Sequence, residues 1–126
     1  MFEIRQTDKA PAAIGPYSQS VLYGDLLFTS GQIAIIPETG EMEQGSIEAQ
    51  ADRVMKNLSA VLAEYGAGFE NVIKTTCFLA DIDDFAVFNE VYGRYFSNHK
   101  PARSCVAVKA LPKGALCEVE IIAAIK

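Results

Sequence analysis

Residues 46–65 constrain the fold more than any other segment, because they carry the longest amphipathic pattern in the chain. Their apolar members recur at every third or fourth position: Ile47, Ala51, Val54, Met55, Leu58, Val61, Leu62 and Tyr65. This spacing predicts a helix with one apolar face, capped at its start by Ser46 and followed by Gly66 in the left-handed conformation. Such a face is stable only against a second layer, which the rest of the chain has to provide.

Short runs rich in β-branched and aromatic residues predict a sheet as that second layer. Strands are expected at residues 2–6, 21–23, 26–36, 72–79, 103–110 and 116–125, and a second helix at residues 84–96. This order of elements predicts an α/β (α+β) fold in a single domain over residues 1–126. We expect both helices to pack on one face of a mixed sheet.

Composition excludes several classes of function. Half of the residues are apolar and the formal net charge is −5. A small chain with this apolar content is expected to form oligomers, and its negative charge opposes binding to nucleic acid. No apolar run approaches the roughly 20 residues of a membrane span, and residues 1–9 lack the apolar segment of a signal peptide. The three cysteines lack metal-binding spacing, so we expect free thiols, no metal and a cytoplasmic protein.

The familiar catalytic motifs are missing from the sequence, which has no nucleophile elbow, P-loop, dinucleotide-binding glycine motif or zinc-protease motif. Cys105 would need a histidine partner, and His99, the one histidine, has no recognised spacing to it. Asp81, Asp83 and Asp84 suit a helix start rather than a calcium loop, because no glycine or bidentate glutamate follows at the required spacing. Acid–base and electrostatic chemistry on a small anion remains.

Charged side chains on two predicted strands could provide that chemistry. Arg103 opens a strand, and a guanidinium there is a fixed, two-pronged partner for a carboxylate. Glu118 and Glu120 share one face of the last strand, as an exposed charged surface or as a like-charged pair in which one pKa is raised. If the last two strands form a simple hairpin about Lys113, Arg103 lies opposite Ala123 and not opposite Glu118.

Other positions have both a structural and a functional interpretation. Tyr17 follows a stiff loop containing proline and glycine, and either covers the core or faces a cleft. Gly31, after Ser30, marks either a bend in a strand or a place where another group approaches the backbone closely. Asn89 lies on or beside the apolar stripe of the second helix, as a structural hydrogen-bond partner or as a ligand contact.

Four stretches of the chain resemble the Rid (YjgF) family of reactive-intermediate deaminases. They are residues 13–19 (AIGPYSQ), 29–33 (TSGQI), 72–79 (VIKTTCFL) and 101–106 (PARSCV), the last with Leu-Pro at 111–112. The similarity extends over almost the whole chain. The presence of both the Pro-Ala-Arg-Ser run and the Ile-Gly-Pro-Tyr loop in one sequence is specific to this family. The resemblance implies a chorismate-mutase-like fold and a homotrimer with sites in clefts between subunits.

The resemblance also implies an activity, the hydrolysis of 2-imino acids such as 2-iminobutanoate and 2-iminopropanoate to 2-oxo acids and ammonia, with no cofactor. Arg103 would pair with the substrate carboxylate, and Glu118 would orient the attacking water and shuttle protons. The pocket would be lined by Tyr17, Ser30, Gly31 and Asn89, and the backbone of Cys105 would help to hold the water.

One segment departs from the family pattern. Residues 97–101 are shorter and lack the phenylalanine often found before the Pro-Ala-Arg run, which bears on substrate range. Two other functions stay open at this point. A non-catalytic trimer that binds 2-oxo acids would need Arg103 but not Glu118. A ribonuclease, proposed for members of the family, is opposed by the negative charge and by the lack of a basic aromatic surface.

Overall fold

The computed structural model describes residues 2–125, which form a six-stranded sheet and two α-helices. Helix α1 spans Ile47–Ala63 and helix α2 spans Phe85–Tyr95. The strands are β1 (Phe2–Glu3), β2 (Ser20–Tyr23), β3 (Leu26–Thr29), β4 (Val72–Leu79), β5 (Ala102–Ala107) and β6 (Cys117–Ala124). This mixed α+β architecture confirms the fold class and the element order expected from the sequence.

Helix α1 begins and ends close to the predicted residues. Ser46 Oγ accepts a hydrogen bond from the backbone N–H of Ala49 at 3.3 Å, and Gly66 adopts a left-handed φ of 70° just after the helix. The apolar faces of both helices pack on one face of the sheet, where Leu58 and Phe88 are fully buried. That packing, more than helix propensity, holds α1 in place.

The strands follow the order β1-β2-β3-β6-β4-β5, and only β4 and β5 run parallel. The last two strands do not form the simple hairpin about Lys113 that was considered as one possibility, because β4 lies between β5 and β6. Helix α2 connects β4 to β5, and such a crossover places the second strand parallel to the first. The turn at Pro112–Gly114 then returns the chain to the other side of β4.

The expected strand over residues 26–36 ends early, at Thr29. Beyond it only isolated bridges pair Gln32 with Val119 and Ile35 with Met42. The N–H of Ile35 donates to the carbonyl of Ile33 at 2.8 Å, which closes a tight three-residue turn beyond the end of β3. The first strand is also shorter than predicted.

The sheet has a buried face and an open face. The open face carries exposed apolar side chains, among them Tyr23, Phe28 and Val106, which are 59%, 41% and 48% exposed. Apolar surface of this extent on a small protein is typical of an interface. Among residues 2–125, no helix is long and apolar enough to cross a membrane.

Candidate functional site

Arg103 lies on β5, against one side of helix α2. Its Nη1 donates a 2.6 Å hydrogen bond to Asn89 Oδ1. Its Cζ lies 4.8 Å from the centroid of the Tyr92 ring and 5.5 Å from that of Phe85. Two aromatic rings and one amide therefore hold the guanidinium, while its remaining N–H groups find no acceptor among residues 2–125.

A cleft of about 560 Å³ opens in front of this guanidinium. It is lined by Asn89, Tyr92, Gly93, Phe96, Lys100, Pro101 and Arg103. The lining contains two cations and no carboxylate, so it suits an anion. Asn89 is exposed in this cleft and serves as the partner of Arg103, so its amide is not the buried group that its helical position suggested.

Cys105 follows Arg103 on the same face of β5 and pairs in register with Cys77 on β4. Burial raises the pKa of the Cys105 thiol, against a lowering effect of the Arg103 charge. Burial also raises the pKa of Cys77 to about 12. Both side chains are therefore thiols at neutral pH, and a thiol is a poor nucleophile. The Cys105 sulfur is therefore not suited to nucleophilic attack, and the role of its backbone stays a prediction.

Glu118 lies on β6 in a second cleft, of about 530 Å³. Burial raises the pKa of its carboxyl, and the neighbouring Glu120 raises it further. Of the two arrangements left open by the sequence, the carboxyl with a raised pKa is the one found at Glu118, while Glu120 is exposed. A carboxyl of this kind exchanges protons closer to neutral pH than an ordinary one.

Gly31 lies directly under Glu118. A Cβ added to Gly31 would be 2.8 Å from the Glu118 carboxyl carbon and 3.0 Å from its Cγ. Of the two interpretations of this glycine, close approach is therefore the one observed. The Glu118 side chain rests on the bare backbone of residue 31, so a side chain at this position would have to push Glu118 aside.

Tyr17 and Ser30 line the same cleft as Glu118. Tyr17 is 54% exposed, so it faces the cleft and does not cover the core. The Ser30 hydroxyl donates a 2.6 Å hydrogen bond to the carbonyl of Ser18, and the Ser30 N–H donates to the Gln19 carbonyl at 2.9 Å. Ser30 therefore fastens the Tyr17 loop to the end of β3.

Arg103 and Glu118 do not meet within one chain. Thr75 of β4 is in register with Arg103, and Phe78 of β4 is in register with Glu118. Side chains alternate between the two faces of a strand, so residues 75 and 78 point to opposite faces. Arg103 consequently lies with Thr75 on the helix-covered side and Glu118 on the open side. The predicted residues form two groups: Arg103, Asn89 and Cys105, and Glu118, Tyr17, Ser30 and Gly31.

Comparison with known proteins identifies the family. The profile of the family described as Endoribonuclease L-PSP matches residues 7–125. The chain belongs to this family, the Rid proteins. A Rid-family protein of unknown function from Yersinia pestis has a solved structure that is 44% identical, with a TM-score of 0.97 over 99% of this chain and 100% of that one.

Two further Rid relatives carry informative names. The rat protein named 2-iminobutanoate/2-iminopropanoate deaminase is 46% identical over 121 residues, which are 96% of this chain and 88% of the rat protein. The E. coli protein TdcF, solved with bound serine, is 42% identical with a TM-score of 0.93, and the match covers 98% of this chain and 99% of that one. The family and the deaminase name together support an activity of the Rid type.

Sequence reasoning missed the residues that hold Arg103 from helix α2, namely Phe85 and Tyr92. Both belong to a stripe interpreted as core or interface, although their spacing from Asn89, of four and three residues, puts all three on one side of the helix. Lys100 was also missed, because it lies in a polar loop. The parallel pairing of β4 and β5, which brings α2 to Arg103, was the missing information.

Proposed function

We propose that this protein is a deaminase that hydrolyses 2-imino acids, such as 2-iminobutanoate and 2-iminopropanoate, to 2-oxo acids and ammonia. The observation that carries the proposal is the position of the Arg103 guanidinium. Asn89 and Tyr92 hold it at the wall of a cleft lined by two cations, and N–H groups of the guanidinium stay available for a ligand. Such a group forms two-pronged hydrogen bonds with a carboxylate, so a small carboxylate fits this site. The serine bound to the E. coli relative, an amino acid with one carboxylate, is consistent with this ligand class.

The second part of the proposal is that the site lies between subunits of a homotrimer. Arg103 and Glu118 occupy opposite faces of one sheet, so the two groups can act on one substrate only if they come from different chains. The exposed apolar side chains on the open face of the sheet supply a surface for that assembly. The cleft of Arg103 in one subunit would then face the cleft of Glu118 in the next.

The chemistry asked of the site is modest. A protonated imine carries the electrophilic carbon C2 next to the carboxylate that Arg103 holds. Water adds to C2 while one of its protons passes to the Glu118 carboxylate, which leaves hydroxyl and amine groups on C2. Glu118 returns the proton to the amine, the C2–N bond breaks with its electron pair on nitrogen, and C2=O forms. The hydroxyl proton leaves with ammonia as ammonium. Placement of the reactants and one acid–base group supply this catalysis.

Glu118 suits the proton shuttle because burial and Glu120 raise the pKa of its carboxyl toward the working range. The cleft around it is lined by Tyr17, Ser30 and Gly31. The alternative activity in the family's description, cleavage of RNA, is poorly served by a chain with a net charge of −5.

The test couples the purified protein to a threonine dehydratase and follows the release of 2-oxobutanoate above the rate of spontaneous imine hydrolysis. Arg103→Ala should lose acceleration on the order of a hundredfold or more, because a charged, two-pronged hydrogen-bonding partner is removed. Arg94→Ala is the matched control, since Arg94 pairs with Glu48 on the surface, away from both clefts. A folded wild-type protein without acceleration would refute the deaminase proposal and favour a non-catalytic protein that binds 2-oxo acids.

A further inference from the structure

Asn57 is a polar residue in an apolar place. It lies in the middle of α1, between Val54 and Leu58 on the face that packs against the core, and its exposed fraction is 0%. A buried amide is costly unless its hydrogen-bonding groups find partners. The sequence pattern of α1 gave no reason to expect an amide at this position.

The side-chain amide of Asn57 donates two hydrogen bonds to one short segment. Nδ2 donates to the carbonyl of Ile33 at 3.2 Å and to that of Ile35 at 2.9 Å. Because both neighbours are acceptors, the orientation of the amide is fixed by its surroundings. Its Oδ1 meets no donor among residues 2–125. The side chain thus gives up one hydrogen bond in order to make these two.

The segment that Asn57 holds is the one that follows Gly31. Residues 33–35 form the tight turn beyond β3, with Ala34 buried inside and Ile33 and Ile35 in the wall of the Glu118 cleft. This turn belongs to no regular strand. Before it, Gln32 pairs with Val119 of β6; within it, the Ala34 carbonyl accepts from the Glu43 N–H at 2.7 Å and Ile35 forms a bridge with Met42. Asn57 supplies the hydrogen bonds that a strand partner would otherwise provide.

We propose that Asn57 is a positioning residue for the acid–base half of the site, because it fixes the turn at Ile33–Ile35, which follows Gly31 and walls the Glu118 cleft. Asn57 contacts no substrate in this arrangement and acts through the backbone. The inference rests on the proposed deaminase function of the Arg103 and Glu118 clefts. It predicts a selective defect, in which proton transfer suffers and carboxylate binding does not.

The chain offers a matched control in Asn71. Its Nδ2 donates to the carbonyl of Ala124 at 3.0 Å and its Oδ1 accepts from the Gly68 N–H at 3.0 Å, so it also links side chain to backbone. Asn71 lines neither cleft. Asn57→Leu and Asn71→Leu therefore both remove bonds from a side-chain amide to the backbone, but only Asn57→Leu removes them at the proposed site.

The experiment measures three properties of each variant: kcat in the coupled imine assay, Kd for 2-oxobutanoate by calorimetry, and the pH dependence of kcat. For Asn57→Leu we expect kcat to fall about tenfold or more while Kd changes by less than about threefold. The acidic limb of its pH profile should move to lower pH, because a loosened turn admits water to Glu118. Asn71→Leu should lower the melting temperature and leave all three properties unchanged.

A second variant keeps the inference testable if Asn57→Leu does not fold. Asn57→Ser retains one short donor, and in it we expect a smaller fall in kcat together with faster amide hydrogen exchange at residues 33–36 than in Asn71→Ser. An active wild type whose Asn57 variants lose stability but keep kcat and the pH profile would overturn the positioning role alone. An inactive wild type overturns the proposed function instead, so the two failures are distinct.

Discussion

The carboxyl of Glu118 rests on the backbone of Gly31, at a separation that leaves no room for a methyl group. The φ of Gly31 lies outside the left-handed region, so alanine can adopt this backbone without strain. Glycine is therefore required at this position by the closeness of the Glu118 side chain and not by its own backbone conformation. The two residues form one unit, in which the bare backbone determines where the carboxyl sits.

Gly31→Ala should separate activity from stability. The added methyl must push the Glu118 side chain aside, and a flexible side chain can move at little cost, so we expect the free energy of unfolding to change by no more than about 1 kcal/mol. Imine hydrolysis should fall by about tenfold or more, because the carboxyl loses its position. Thermal unfolding and the coupled assay measure the two effects.

A double-mutant cycle provides the control. In a Glu118→Gln background the acid–base group is already gone, so Gly31→Ala should cost no further activity. A Gly31→Ala enzyme with the wild-type rate would show that the position of the Glu118 carboxyl does not matter.

Mixing two inactive variants tests the location of the site between subunits. Arg103→Ala and Glu118→Gln should each be inactive alone, because each lacks one half of every site. When equal amounts are unfolded and refolded together, a site is intact only if it takes Arg103 from one variant and Glu118 from the other. Random assembly of such a ring makes about a quarter of the sites intact, and hence restores about a quarter of the wild-type activity.

The stoichiometry makes this test strict. Sites built within single chains would give no restored activity at any mixing ratio, and that outcome would refute the arrangement between subunits. Mixing without unfolding serves as the control for exchange of subunits.

The parts of the fold that the sequence predicted are those set by local pattern. The periodicity of α1 and its cap at Ser46 depend on residues within a few positions of each other, and both were confirmed. The place of β6 could not be predicted, because β4 separates it from β5 and strand order is decided by packing between distant segments. The turn residues around Lys113 are the same whether the turn joins two neighbouring strands or two strands with a third strand between them, so they do not distinguish the two cases.

The candidate site shows the same division. Arg103 and Glu118 could be selected from residue type and strand position, but their location on opposite faces depends on registers with β4 that no local pattern encodes. Asn57 escaped notice because an amide within an apolar helix stripe looks like a boundary residue. Its two acceptors, Ile33 and Ile35, are more than twenty positions away.

Glu118 should also make stability depend on pH. Its folded-state pKa is raised above 4.5, so the folded protein binds this proton more tightly than the unfolded chain does. The contribution is favourable below pH 4.5 and is lost as the pH rises through the folded-state pKa. Glu118→Gln should therefore raise the melting temperature relative to wild type at pH 7, by a few degrees at most since the carboxyl is only half-buried.

The difference between the two melting curves should disappear below the ordinary pKa of a glutamate. A constant difference at all pH values would mean that packing, and not ionisation, separates the two proteins. Glu41→Gln is the control, because Glu41 is an exposed glutamate that lines neither cleft.

The hydrogen bond between Tyr95 and Asp52 joins the two helices. It predicts a pH dependence of stability opposite to that of Glu118, because its contribution is lost in acid. The Tyr95 hydroxyl donates to Asp52 Oδ1 at 2.6 Å, which holds the pKa of Asp52 below 3.8, while burial and Asp52 raise the pKa of Tyr95 to about 12. Tyr95→Phe should lower the free energy of unfolding by roughly 0.5–1 kcal/mol at neutral pH, since the pair is partly exposed. Neither residue lines the Arg103 or the Glu118 cleft, so imine hydrolysis should be unchanged.

The pH dependence identifies the cause of this loss. Asp52 has a depressed folded-state pKa, so its stabilising contribution is present above about 3.8 and disappears as the pH falls through the folded-state value. The difference between wild type and Tyr95→Phe in chemical denaturation should accordingly shrink in acid. A difference that stays the same at low pH would mean that the lost contribution is packing of the hydroxyl and not its bond to a carboxylate.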